Sequence, residues 1–302
     1  MNTLRLHSGA SIPWIGYGSG TAHYGKDCAA ITLTALQSGF THLDGAQAYE
    51  NEPSLGEALS KFTQASTSSD RKKLFITTKL EAVSKAKGQT VESKLRESLQ
   101  KLGLDYVDLY LVHNPKQHAE AGIVQVWKEM IKVKELGLTK SIGVSNFNKS
   151  QIKELLDAGL EAPTVNQIEY HPFVAQTLQP LLDFQAKHNI LTQSYGGLTP
   201  LIASRFEKVT DAAVKEKREA LEKLVDSIAG KNKMTTSQAL LKWLKAQGII
   251  AITTSTKEER IKEYLATDSL PDLSAEEVKE ITNVTGGIQH RTFDFVPHMD
   301  TQ

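Results

Sequence analysis

A single cysteine, Cys28, stands in 302 residues. That excludes an internal disulfide and any cysteine-built metal cluster, and Cys28 reads as a small buried hydrophobe on the first helix. Charge of one sign is also missing, since Lys+Arg and Asp+Glu number 35 each. Such a balance gives no electrostatic footprint for nucleic acid or an anionic membrane. No apolar run approaches membrane-spanning length, and Met1-Asn2-Thr3-Leu4-Arg5 lacks the apolar core of a signal peptide. A cytoplasmic, reducing home is the expectation. His113, His118, His171 and His188 share no ligand spacing, so no metal is expected. A dinucleotide fold is not signalled either. In Gly16-Tyr17-Gly18-Ser19-Gly20-Thr21 a threonine stands where G-x-G-x-x-G requires its last glycine, although Asp44 follows at a plausible distance.

What is present is a globular composition, 40% apolar and 23% charged, with a regular alternation of patterns. A small hairpin (Leu4 to His7 and Ser11 to Pro13) precedes a glycine-dotted strand near Ile15–Gly18. Strand patterns then recur at Phe40–Asp44, Leu74–Lys79, Val107–His113, Thr139–Ser145, Thr164–Ile168, Ile190–Tyr195 and Ile249–Thr253. Apolar residues at helical spacing lie between them: Val91, Leu95, Leu99 and Leu102 before Gly103, and Val124, Trp127, Ile131 and Val133 before Gly137. Capping boxes are expected at Thr235/Gln238, Thr256/Glu259 and Ser274/Glu277. Eight strands, nearly all followed by a helix and uninterrupted by a linker, predict one closed (β/α)8 barrel domain over 1–302. A doubly wound open sheet is the alternative.

Chemistry-bearing groups fall where the strands run out, which is where α/β folds keep their sites. Asp44, Lys79 and His113 end strands, and Tyr49 lies just past one. Alone, Asp44 reads equally as a cap, Tyr49 as a packing aromatic and His113 as a core histidine. Together they describe a general acid. A buried lysine needs a counter-ion, which Asp44 offers, and the ammonium beside Tyr49 is expected to lower the phenol's pKa. His113 would hydrogen-bond beside the same spot. Ser145, Asn146 and Gln167 place side chains able to hold a carboxamide, giving and accepting at once, and Tyr195 could stack on a flat ring. Thr254-Ser255-Thr256-Lys257-Glu258-Glu259-Arg260 opens a helix suited to a phosphate monoester.

Gly39 to Glu52 (G-F-T-H-L-D-G-A-Q-A-Y-E-N-E) resembles the signature of the aldo-keto reductase family. Val144-Ser145-Asn146-Phe147, Val165 to Pro172 and Thr253 to Arg260 resemble its other blocks in order. The resemblance implies a (β/α)8 barrel, NADPH bound without a dinucleotide-binding domain, and reduction of aldehydes or ketones to alcohols. Carried over by position, Tyr49 is the general acid, Asp44 and Lys79 tune it, and His113 orients the substrate carbonyl. Ser145, Asn146 and Gln167 match the carboxamide contacts and Tyr195 the nicotinamide stacker. Gly20-Thr21-Ala22 and Gly196 to Leu198 match cofactor-lining loops, and Ser255 and Arg260 the 2′-phosphate end. The chain departs from the pattern where Thr254 replaces a lysine, with Lys257 nearby to compensate, so NADPH is expected over NADH. Gly196-Gly197 replaces Ser-Pro, and Asn114-Pro115 replaces an aromatic–proline. With only Lys116 to Gly122 before the next helix, an open, less apolar substrate site follows. Ala22, His23, Tyr24, Glu81, Asn114, Phe147 and the tail His290 to Phe295, including Phe293, are the pocket candidates, the tail either folding over ligand as a mobile segment or simply packing on the barrel wall. Thr253-Thr254-Ser255 and the surroundings of Phe173 look most like fungal members, including conjugated polyketone and keto-lactone reductases. The expected substrate is a small carbonyl such as an α-keto ester, and the expected state a monomer. Two other readings stay open: a Schiff-base lyase using Lys79 as nucleophile, and a nucleotide-binding barrel without useful turnover.

Overall fold

A computed structural model describes residues 2–64 and 70–300; the outermost bounds expected for the domain, 1 and 302, lie outside them. An antiparallel hairpin, β1 (Thr3–Arg5) and β2 (Ser11–Pro13), leads into β3 (Ile15–Gly18) and α1 (Ala29–Ser38). The alternation continues through β4 (His42–Asp44), α2 (Glu52–Gln64), β5 (Phe75–Leu80), α3 (Val91–Leu102), β6 (Val107–Val112) and α4 (Ile123–Glu135). It goes on with β7 (Thr139–Ser145), α5 (Lys149–Asp157), β8 (Val165–Glu169), α6 (Pro172–Lys187), β9 (Leu191–Tyr195), α7 (Ala212–Lys231), α8 (Thr236–Ala246), β10 (Ile250–Thr253), α9 (Glu258–Ala266) and α10 (Ala275–Asn283). Strands β3 to β10 pair in parallel and close into a barrel, β10 returning to β3. The expected (β/α)8 barrel with its N-terminal hairpin is what forms; the open sheet is not.

The strands alternate as a covered sheet must. Leu109 and Leu111 face the barrel interior with Phe75, Val165 and Ile250, while Tyr110 and Val112 face the helices. Leu6 and Ile12 of the hairpin region join that interior cluster, so the N-terminal end is plugged. The same alternation sends Lys79 inward, because Phe75 faces in and residues two apart share a face. Helix starts follow side-chain chemistry. Capping boxes form at Thr235/Gln238 and Ser274/Glu277 as expected, and also at Thr90/Ser93 and Asn148/Gln151. The box expected at Thr256/Glu259 does not form. Helix α9 starts one residue later, with Lys257 as its cap residue, and Ser255 Oγ accepts from Lys257 N at 3.0 Å instead. Among the described residues no helix is long and apolar enough to cross a membrane.

Candidate active site

The C-terminal mouth of the barrel opens into a cavity of about 650 Å³. Lys79, fully buried, reaches into its floor: Nζ donates to Asp44 Oδ1, to Gly45 O at 2.8 Å and to Tyr49 Oη at 3.3 Å. All three donors of the ammonium are therefore satisfied. Tyr49 comes from a single 3-10 turn, Gln47–Tyr49, just past β4. Gly20 brings the first loop against its ring, where a Cβ would lie 3.0 Å from Cζ. His113, one residue past β6, stands edge-on to Tyr49 with ring centroids 5.5 Å apart. Four groups from the ends of three strands, β4, β5 and β6, thus meet at one point.

The electrostatics differ from the sequence expectation in one respect. Burial raises the Tyr49 pKa, and the opposing pull of Lys79 does not overcome it; the phenol is held as an acid, not as a phenolate. Burial works against the charge on Lys79, but Asp44 and Tyr49 outweigh it and lift its pKa. His113 is pushed down to about 3, first by burial and then by Lys79. It is a neutral imidazole at physiological pH.

Ser145, Asn146, Gln167, Tyr195, Gly196 and Leu198 all line the cavity. Their hydrogen-bonding capacity is largely committed within the protein. Asn146 donates to His113 O at 3.0 Å and Ser145 Oγ at 3.1 Å, and accepts from Tyr195 Oη at 2.8 Å. Asn146 sits at φ 61°, a left-handed conformation that asparagine tolerates. Ser145 Oγ donates to Gln167 O at 2.9 Å. Both N–H groups of Gln167 are used, on Asp44 Oδ2 at 2.8 Å and Gln193 Oε1 at 3.0 Å. Gln167 therefore offers a ligand its carbonyl oxygen only, rather than giving and accepting at once.

Gly20, Thr21, Tyr24 and Asn114 line the cavity, as do Thr254, Arg260 and Phe293. Others of the expected set do not. His23 is buried, its Nε2 2.9 Å from Tyr17 Oη and 3.3 Å from Ser255 O, so it ties the first loop to the last strand end. Phe147 is buried in the layer between strands and helices, its main chain bracketed by the Asn166 amide. Glu81 lies outside the lining; its main-chain N–H donates to Gln47 Oε1 at 2.9 Å. Ala22 is also outside it, its carbonyl accepting from Lys26 Nζ at 3.3 Å. Ser255 is buried behind Thr254 with its hydroxyl engaged at the start of α9, and Thr256 and Lys257 are exposed on the outer side. The walls are more apolar than expected, carrying Leu198, Ile202, Leu241, Leu244, Phe293 and Phe295. The tail is docked, with Val296 and Met299 buried.

Several contributors carry no strand-end signal. Asn51 donates to Ser19 O at 2.8 Å and His23 O at 2.9 Å, fastening the first loop to the Tyr49 turn. Gln193 faces Gln167 inside the barrel, and Glu52, buried, accepts from Thr78 Oγ1 at 2.7 Å beside Lys79. Asn51 and Glu52 close the signature stretch, so their positions were visible but not their roles. Arg205, Ile202 and Leu244 reach the cavity from the β9–α7 connection and α8, which periodicity alone could not show.

The barrel, the inward lysine and the phenol beside it define a class of protein, and the comparisons agree with it. The model of the Aldo/keto reductase family matches residues 15–285. An NAD/NADP-dependent indole-3-acetaldehyde reductase of Schizosaccharomyces pombe is 36% identical, over 97% of this chain and 98% of that one. An NADPH-dependent alpha-keto amide reductase of Saccharomyces cerevisiae is 32% identical, over 94% and 90%. The crystal structure of a Bombyx mori aldo-keto reductase in complex with NADP superposes with a TM-score of 0.82 at 29% identity, covering 97% and 95%. This chain belongs to the aldo/keto reductase family, whose members are oxidoreductases that use NAD(P)H.

The cavity fits such a cofactor. Among its lining residues the charge of Asp44 is neutralised by Lys79, and Arg205 and Arg260 pair with no carboxylate among the described residues, so its field favours an anionic ligand. The Thr254 hydroxyl is buried without a partner at the Arg260 end, where phosphate oxygens would satisfy both groups.

Proposed function

We propose that this protein is an NADPH-dependent carbonyl reductase, converting an aldehyde or ketone to the alcohol. The observation that carries the reading is the triple contact of Lys79 Nζ with Asp44, Gly45 O and Tyr49 Oη on the cavity floor. Bound NADPH supplies the hydride. Tyr49 donates the proton to the carbonyl oxygen, and its elevated pKa keeps that proton in place until the oxygen becomes basic. The Lys79 ammonium, 3.3 Å away, then stabilises the phenolate left behind. Asp44 keeps the ammonium charged. His113, neutral, orients the carbonyl by a hydrogen bond without competing as an acid. Gln167 and Tyr195 would offer the nicotinamide an acceptor and an aromatic face, and Thr254 and Arg260 would hold the phosphate that distinguishes NADPH from NADH.

The substrates named for the fungal relatives, indole-3-acetaldehyde and alpha-keto amides, suit the apolar walls, and α-keto esters and keto-lactones belong to the same chemical range. The chain acts as one barrel domain, a cytoplasmic monomer on small molecules. A Schiff-base role for Lys79 is disfavoured because its partners hold it charged. The test is Tyr49→Phe. Reduction of a carbonyl panel should fall by more than about 10³-fold, while NADPH still quenches protein fluorescence with its wild-type affinity. Most of the turnover surviving in that variant would overturn the assignment.

A further inference from the structure

Tyr49 stands on a segment with little internal restraint. Gln47–Tyr49 is a single 3-10 turn, closed by Tyr49 N on Ala46 O at 3.1 Å and Glu50 N on Gln47 O at 3.2 Å. Such short pieces bond with poorer geometry than an α-helix. Lys79, by contrast, lies within β5 and is paired with β6. The 3.3 Å between Tyr49 Oη and Lys79 Nζ therefore depends on how the turn is tied to that strand.

One side chain makes the tie. Gln47 is 9% exposed and engages both ends of its amide. Its Oε1 accepts from Glu81 N at 2.9 Å, the first main-chain N–H beyond β5 and two residues past Lys79. Its Nε2 donates to Lys94 O at 2.7 Å and to Ser98 Oγ at 2.9 Å, both on α3. A flipped amide would set donor against donor and acceptor against acceptor, so the contacts fix its orientation. A second tie lies three residues beyond Tyr49, where Glu52 Oε1 accepts from Thr78 Oγ1 at 2.7 Å, next to Lys79. Ser98, wholly buried, lies against that carboxyl too. The stretch bearing the phenol is thus stitched to the strand bearing the ammonium on either side of both groups. Apolar side chains would fill this layer without the cost of burying an amide. What a fully bonded network adds is a fixed geometry.

We propose that Gln47 is a positioning residue for the proton transfer: by tying the Tyr49 turn to the end of β5 and to α3, it sets the separation of the phenol from the Lys79 ammonium. The proposal rests on the carbonyl-reductase reading and adds a residue outside the cavity lining to the four that meet on its floor. The test compares wild type, Gln47→Met, Gln47→Glu and Ser98→Ala on phenylglyoxal with NADPH. Gln47→Met keeps the bulk and loses the amide. It should lower kcat about tenfold, less than the roughly 10²-fold that a 1 Å misplacement costs. KM and the NADPH affinity read by fluorescence quenching should stay within about twofold. Ser98→Ala leaves Nε2 the Lys94 carbonyl and should cost only about two- to threefold. Gln47→Glu keeps an acceptor for Glu81 N but has an O–H to donate only while protonated. Burial raises the pKa of such a carboxyl, as it does that of neighbouring Glu52, on which Lys101 and Glu97 pull in opposite directions. Its kcat relative to wild type should therefore climb several-fold from about pH 8 to about pH 6. Turnover within about twofold of wild type in Gln47→Met, an NADPH affinity that falls as far as kcat, or a Gln47→Glu variant indifferent to pH would overturn the proposal. If Gln47→Met does not fold, Gln47→Glu and Ser98→Ala carry the comparison. Should the wild-type protein reduce no member of a carbonyl panel, the reading of the site fails, and crystal structures of wild type and Gln47→Met still decide the positioning. A longer Nζ–Oη distance in the variant upholds it, and an unchanged one overturns it.

Discussion

Asp44 divides its two oxygens between different partners: Oδ1 takes the Lys79 ammonium, and Oδ2 accepts from Gln167 Nε2 at 2.8 Å. One carboxylate therefore links the Lys79–Tyr49 end of the cavity to the Gln167 side chain. It also makes Asp44 the group on which the buried lysine depends.

Asp44→Asn leaves that ammonium without a counter-charge. The expected destabilisation is about 3–5 kcal/mol, the range seen when one partner of a buried pair is removed. Lys79→Met on top of Asp44→Asn removes the stranded charge and should recover most of the stability but none of the turnover. Urea unfolding midpoints and NADPH-dependent reduction, measured on the two variants side by side, check this.

Acid should unfold the protein through its histidines before its carboxylates matter. His113 is held at about 3, His42 and His118 at about 4, each mainly by burial. Since these folded-state values lie below the ordinary 6.5, the unfolded chain binds more protons as pH falls. Their contribution is fully present above the unfolded pKa of about 6.5 and is lost progressively toward 4, at up to about 1.4 kcal/mol per pH unit for each group. Stability curves at pH 7.5, 6 and 5 should show that slope, and His118→Asn should reduce it by about one proton. A flat profile between pH 7 and 5 would count against buried neutral imidazoles.

Arg260→Ala should weaken NADPH about 10–100-fold, the equivalent of a charge-assisted hydrogen bond of about 1.5–3 kcal/mol, and leave NADH binding unchanged. Thr254→Lys should strengthen NADPH binding, by adding charge where the Thr254 hydroxyl now stands unpartnered. Fluorescence titration with both nucleotides separates the phosphate contribution from loss of the cavity as a whole.

The parts of the site that the sequence revealed are those fixed by strand ends. Asp44, Lys79 and His113 follow from period-two alternation and from where each strand stops, and Tyr49 from its distance past one of them. Residues on loops were harder to place, because a loop side chain has no periodicity to aim it. His23 adjoins Tyr24 in sequence yet turns inward to Tyr17, and Phe147 follows Asn146, whose left-handed backbone redirects the chain toward the helix layer. The Tyr49 pKa departs from the sequence expectation for a related reason. The sequence supplies the cationic partner, but the desolvation that outweighs it depends on how the mouth packs. The tail was legible as aromatic and near the rim, not as fastened, since the Glu169 carboxylate that accepts from Arg291 lies 122 positions away.

Gly20 offers a test of how closely the phenol must be placed. Its backbone is extended, φ −78° and ψ −167°, a conformation alanine adopts freely, so Gly20→Ala introduces contact without backbone strain. The added Cβ would stand 3.0 Å from Tyr49 Cζ and 3.3 Å from Oη, and the ring must move by a few tenths of an ångström to accept it. Lys79 Nζ is already 3.3 Å from that oxygen, so a shift away from the ammonium weakens the stabilisation of the phenolate. A displacement of about 1 Å costs about 10²-fold in rate, and this smaller one should lower kcat several-fold. Thermal stability should fall by less than about 1 kcal/mol, as for a substitution that breaks no buried network. Reduction of kcat with an unchanged unfolding midpoint would show that the first loop sets the position of the proton donor. An unchanged kcat would mean that Tyr49 tolerates displacement and that its contact with Lys79 is looser in solution than 3.3 Å implies.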